Sequence, residues 1–95
     1  MLSFQTFIDT CFLASKDYPG RNLNFGCTRR DSIMECQSLC QATQGCAKFS
    51  YVTDTYNGKH GTGARKNCCL KSYATMDLVD ETGVISGPRS CRPSK

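Results

Sequence analysis

Eight cysteines constrain this chain more than any other feature: Cys11, Cys27, Cys36, Cys40, Cys46, Cys68, Cys69 and Cys91. An even cysteine count at this density is the signature of a disulfide framework. The paired Cys-x2-Cys knuckles of a zinc site are absent. The closest clusters are Cys36-x3-Cys40 and Cys40-x5-Cys46. We read four disulfides, no metal site and no cofactor. Disulfides persist in oxidising compartments, so the reading is of a secreted, extracellular protein.

The chain of 95 residues is one domain by length. Charged residues make up 21% and apolar residues 39%, which describes a folded chain. There is no Trp, and a core this small is often reinforced covalently. The start, MLSFQTFIDT, lacks the basic residues and apolar run of a signal peptide. No segment approaches the length of a membrane span. Residues 1–95 are therefore read as one domain with its core at 11–91, cut from a longer multi-domain secreted protein. The net charge of +4 is mild. No basic stripe interleaves with aromatic rings, so nucleic acid is excluded as a partner. Acidic glycans and anionic cell surfaces are compatible with it.

Ser32-Ile-Met-Glu35 fits a capping box, in which Glu35 reaches back to the cap. Gly45 is a natural stop. Ile33, Cys36, Leu39 and Cys40 share one face, so a helix is expected over about 33–43, with Gln37, Gln41 and Gln44 on other faces. Alternation places a strand at 47–52, a second at Asn67–Tyr73 and a short third at Gly83–Ser86. Thr10–Leu13 and Asn22–Gly26 are weaker candidates, and Tyr18-Pro19-Gly20 supplies a turn. One helix against an antiparallel sheet makes the class α+β. Residues 54–66, DTYNGKHGTGARK, read as a loop.

Cys36 and Cys40 point the same way along the helix and cannot pair with each other. Cys40 can reach Cys46 just after the helix stop. Cys36 needs a strand cysteine that points at the helix. Adjacent strand residues face opposite ways, so either Cys68 or Cys69 can serve, but not both. Tying Cys11 to Cys91 would close the domain ends, leaving Cys27 for the other vicinal cysteine. Spacing alone does not force this choice among the possible pairings.

Several motifs in order resemble the PAN/apple domain family. They are Cys36-Gln-Ser-Leu-Cys40, Cys46-Ala-Lys-Phe49-Ser-Tyr51, Cys68-Cys-Leu70-Lys71, and Ile85-Ser86-Gly87 ahead of Cys91. Cys11 with Asp17-Tyr18-Pro-Gly20 and Leu23 resembles the version found in microneme adhesins of apicomplexan parasites. The resemblance implies one helix cradled by a curved antiparallel sheet of about five strands. It also implies the pairs Cys36–Cys68, Cys40–Cys46 and Cys11–Cys91. Cys27 and Cys69 depart from that six-cysteine pattern, and their pairing is our own inference.

The function expected from this resemblance is a non-enzymatic adhesion module, secreted through a microneme-type organelle. It would bind a host-surface glycan or protein receptor during host-cell recognition and invasion, with galactose-type lectin activity as one form. A sugar site needs an aromatic face and fixed donors and acceptors. The 54–66 loop offers Tyr56, Asn57, Lys59 and His60, with Arg65 and Lys66 at its end. The alternative is a docking module for sister domains or secreted partner proteins, like the apple domains of blood-plasma proteases. It would be favoured by an apolar patch on the sheet face away from the helix. No nucleophile–base setting for an enzyme can be assembled around the single His60. Asp77, Asp80 and Glu81 read as a solvated connection and not as a Ca2+ site.

Overall fold

A computed structural model describes residues 11–19, 22–72 and 78–90. Five strands are described: β1 (Leu13–Asp17), β2 (Asn22–Arg29), β3 (Lys48–Val52), β4 (Asn67–Lys71) and β5 (Val79–Pro88). An α-helix, α1 (Ile33–Ala42), and a short 3-10 turn (Thr62–Ala64) stand beside them among the described residues. The strands form one antiparallel sheet in the order β1-β5-β3-β4-β2.

The helix starts where the cap chemistry says it should. The Ser32 hydroxyl accepts the Glu35 N–H at 3.2 Å. The Glu35 carboxylate accepts from the Asp31 N–H, one residue before the cap, so the box closes one position earlier than expected. The helix ends at Ala42, and Gly45 follows at φ 90. No basic residue lies in its last turn. The C-terminal carbonyls are served from across the chain instead. The Arg89 guanidinium donates to the carbonyls of Gln41, Thr43 and Cys46 at 2.7–3.0 Å. A cation there also complements the negative end of the helix dipole. Charged hydrogen bonds are worth about 1.5–3 kcal/mol each in stability terms. Arg89→Ala is expected to destabilise the domain by about 2 kcal/mol, read as a lower midpoint in urea unfolding.

The core lies between α1 and one sheet face. Cys36, Cys40, Cys46, Phe49, Tyr51, Cys68 and Leu70 are buried there, with Phe12, Leu23, Ile33 and Leu39 packed against them. Much of this core is cystine sulfur. Phe12 meets Phe49 edge-on, with ring centroids 6.2 Å apart. Gln37 also lies inward, against the sequence expectation. It is buried, and its amide donates to the Pro88 carbonyl. That bond satisfies a polar group that would be costly to bury alone.

Strand alternation divides the vicinal pair. Cys68 faces the helix and bonds Cys36, with Cα atoms 5.5 Å apart. Cys69 faces the other way and bonds Cys27, which stands directly opposite it across the β2–β4 ladder. Cys40 bonds Cys46. Cys11 is disulfide-bonded as well, and its expected partner Cys91 lies outside the described residues. Thr10, Gly20, Tyr73 and Asp77, on which other expectations fall, lie outside them too.

Two strands are longer than their sequence suggests. β2 runs on to Arg29, and β5 begins at Val79, so Asp80 and Glu81 stand in a strand and not in a solvated connection. The cause is a bulge. Ala14 pairs with Ile85 but Lys16 pairs with Asp80, so Ser15, at φ 59, stands alone opposite Glu81, Thr82, Gly83 and Val84. An extra length of strand of this kind re-aims side chains and hides the alternation. On the outer side of this edge the Lys16 ammonium pairs with Asp80 and holds that carboxyl below its usual range.

Candidate ligand-binding site

The sheet face away from α1 is not bare. The chain from Asp54 to Lys66 folds back over it, and Asp17 and Pro19 wall the other side, enclosing a cavity of about 480 Å³. Its floor comes from Val52 of β3, Val84 of β5 and the Cys27–Cys69 bridge.

Tyr56 anchors the fold-back. It is only 1% exposed. Its hydroxyl donates to Glu81 Oε2 at 2.9 Å and accepts the His60 N–H at 3.2 Å. Its carbonyl accepts from Arg65 Nε at 2.8 Å. Burial, together with the neighbouring Glu81 carboxylate, pushes the phenol pKa upward. Tyr56 therefore cannot offer an open ring face to a sugar, as the sequence suggests. The reason is Gly83, whose missing side chain leaves the space the Tyr56 backbone and ring occupy.

The six expected site residues are separated. Tyr56, Lys59 and His60 line the cavity. Asn57 lies on the outer side of the loop, in a shallow depression with Thr55, Asp80 and Thr82. Arg65 braces Tyr56. Lys66, at φ 70, borders a different hollow beside Asp31, Tyr51 and Asp54.

The cavity gains residues that sequence reading passed over: Asp17, Ser50, Lys71 and Glu81. Lys71 is the most telling, being a charged residue only 4% exposed on a strand interior to the sheet. Its signal was present in the sequence. Alternation from Cys69 puts Lys71 on the same face, away from the helix. Burial pushes the Lys71 pKa down, partly offset by the Asp17 carboxylate. The native state thus binds this proton less well than the unfolded chain. Stability should rise as pH climbs from the depressed pKa toward the ordinary lysine value. Lys71→Met removes that rise, so the difference between the two urea midpoints should grow in favour of the wild type as the pH climbs toward the ordinary lysine value.

Ser50, which lines the cavity, is tied to Ser86 of β5. Their hydroxyls lie 2.8 Å apart and are buried. Ser86 donates to the Lys16 carbonyl, so Ser50 donates to Ser86 and accepts the Tyr18 N–H. These bonds pull the end of β1 across the sheet and fix Asp17 at the cavity. Lys48 sits over the Tyr18 ring at 4.7 Å and holds that segment down. The site as a whole sets carboxylates of Asp17 and Glu81 against the cations of Lys59 and Lys71, with the His60 imidazole beside them. Balanced acceptors and donors over an apolar floor suit a small, neutral, hydroxyl-rich ligand. Among the described residues no group of three or more His, Cys, Asp or Glu side chains is placed to hold a metal ion.

The family model for the PAN domain matches residues 16–71. The chain belongs to the PAN domain family. That stretch holds the helix, β2 to β4 and the fold-back that roofs the cavity. The PAN chain is 28% identical over 82 residues to the major microneme antigen of Sarcocystis muris, covering 86% of this chain and 30% of that protein. It is 29% identical over 82 residues to microneme antigen L2 of the same organism, covering 86% and 51%. It thus spans about half or less of the curated relatives it matches. Among solved structures it is similar to the two N-terminal apple domains of Toxoplasma gondii microneme protein 4. The TM-score is 0.65 at 25% identity, over 87% of this chain and 45% of that one.

Proposed function

We propose that this PAN domain is a non-enzymatic, extracellular adhesion module that binds the terminal sugar of a host-surface glycan in the cavity between the 54–66 fold-back and the sheet. The observation that carries the reading is the buried Lys71 facing a cavity that also holds Asp17 and Glu81. Burying an ammonium costs stability, and groups perturbed by burial cluster at functional sites. Carboxylates accept sugar hydroxyl protons and ammonium groups donate to sugar oxygens. Galactose is the sugar we favour. Kinship with microneme antigens supports secretion through a microneme and a role at the host surface. The non-enzymatic reading is supported by the same kinship with microneme antigens.

Docking to sister domains is the competing reading, and it called for an apolar patch on the sheet face away from the helix. The charged residues of the cavity on that face favour a polar ligand instead. A glycan array probed with the wild type and with Lys71→Met separates the two. The sugar reading expects binding to galactose-terminated glycans that falls roughly tenfold or more in the folded variant. Sugar-independent binding to a sister domain, unchanged by Lys71→Met, would overturn it.

A further inference from the structure

We propose that the Cys27–Cys69 bridge is a thiol–disulfide exchange site, opened at Cys27 by small thiols and dithiol reductants while the domain stays folded. Access separates it from Cys36–Cys68 and Cys40–Cys46. Cys36, Cys40 and Cys68 are fully buried, and Cys46 is 3% exposed. Cys27 is exposed and Cys69 half-buried. A disulfide exchanges with a thiol only as fast as the thiol can reach it. Cys27 and Cys69 also stand outside the core between α1 and the sheet, which the other four cysteines help to build.

The place of the bridge in the sheet decides which sulfur is attacked. A thiolate approaches from behind the sulfur it attacks, in line with the S–S bond. Cys27 and Cys69 are directly opposed, with Cα atoms 4.2 Å apart, so the bridge runs across the ladder. Among the described strands β2 is the last of the sheet, so behind Cys27 the sheet ends. Behind Cys69 stands Ser50 of β3, its ladder partner on the other side and only 2% exposed. The incoming thiolate therefore bonds Cys27 Sγ. The electron pair of the broken S–S bond leaves on Cys69 Sγ, which takes a proton from water. A second thiol of the reductant then attacks the reductant's own sulfur in the mixed disulfide, and Cys27 leaves as a thiolate that is protonated in turn. The reductant gives up two electrons and ends as a disulfide, and the bridge ends as two thiols. The fold outlasts this step for two reasons. Cys68 is bonded to Cys36, so the stretch between Cys27 and Cys69 is already closed by a second bridge, and opening the outer one frees only a short loop. The pairs Thr28–Cys68 and Arg29–Asn67 also keep β2 on β4. Toward Asn22 the register is broken, so the bridge is the clamp at that end. It forms part of the cavity floor as well, and opening it reshapes the cavity.

The test is incubation of the folded chain with glutathione at neutral pH, quenching with N-ethylmaleimide at intervals, and peptide mass spectrometry. Glutathione is expected on Cys27 and maleimide on Cys69. Both should appear at least about tenfold faster than any label on Cys36, Cys40, Cys46 or Cys68. With limiting dithiothreitol, Cys27 and Cys69 should both carry maleimide. NMR should then show shifts at residues 22–29 and 67–71, with the α1 signals in place. Cys27→Ser/Cys69→Ser should keep the α1 signals and leave the four core cysteines unlabelled over the same time. Should that variant fail to fold, the wild-type label map and spectrum decide. The proposal is overturned by glutathione mainly on Cys69, by equal labelling of the core cysteines, by loss of the α1 signals on opening, or by no reaction at Cys27 and Cys69. No sugar enters the test, so failure here leaves the sugar reading of the cavity untouched.

Discussion

Replacing both Cys36 and Cys68 with alanine is expected to leave the chain without a cooperative fold at 37 °C. The bridge spans 32 residues of sequence and joins α1 to β4. In the chain-entropy model a loop of that size contributes about 4 kcal/mol. Both cysteines are fully buried, and they sit among Phe49, Tyr51 and Leu70. Truncating two buried side chains adds about 1–2 kcal/mol of lost packing. Small domains hold only about 5–15 kcal/mol in total, and a core built so largely of cystine belongs at the low end. Loss of the thermal transition in circular dichroism, with collapsed NMR dispersion, is the outcome expected. A cooperative melt close to that of the wild type would show that the helix docks without its staple.

Gly83→Val should act through the cavity and not through the core. Gly83 lies in the β5 bulge at φ 92, a region that β-branched residues rarely enter. An added Cβ would stand 2.8 Å from the Tyr56 Cα, and backbone cannot swing aside as a side-chain tip does. Its carbonyl also accepts both the N–H and the hydroxyl of Thr53 at 2.8 Å, which ties the start of the fold-back to the bulge. Backbone strain of about 1–3 kcal/mol and overpacking of about 1–3 kcal/mol add to roughly 2–6 kcal/mol. The melting temperature should fall by at least about 8 °C. Tyr56 and His60 should shift most in the NMR spectrum, while α1 keeps its native signals. Unchanged Tyr56 resonances would mean that the loop is not seated on Gly83.

These results bear on what could be read from the residues. The period of two in a strand is geometric, so Cys68 and Cys69 had to face opposite ways. Ser32, Glu35 and Gly45 announced the helix by local chemistry. Long-range contacts were not announced. Nothing near Tyr56 in sequence tells of Gly83, whose bare backbone buries the ring. Nothing near Ala42 tells of Arg89, which caps the helix from the far end of β5. The β5 bulge hid the first half of its strand by breaking the alternation at Glu81 and Thr82. Lys71 belongs to the Cys-Cys-Leu-Lys motif, and its place two residues after Cys69 fixes its face, but nothing near it in sequence tells of Asp17. The 54–66 loop drew attention to six residues as one site. The fold-back sends Lys59 and His60 to the cavity, turns Asn57 outward, and delivers Arg65 and Lys66 to Arg29 and Arg30.

The central claim is that the cavity roofed by this fold-back holds a sugar. Its most direct test is titration of isotope-labelled protein with galactose and lactose by NMR. Saturable shifts are expected at Asp17, Lys59, His60, Lys71 and Glu81, with α1 silent. No shift at these residues at high sugar concentration, or shifts confined to Asn57, Arg65 and Lys66, would contradict it.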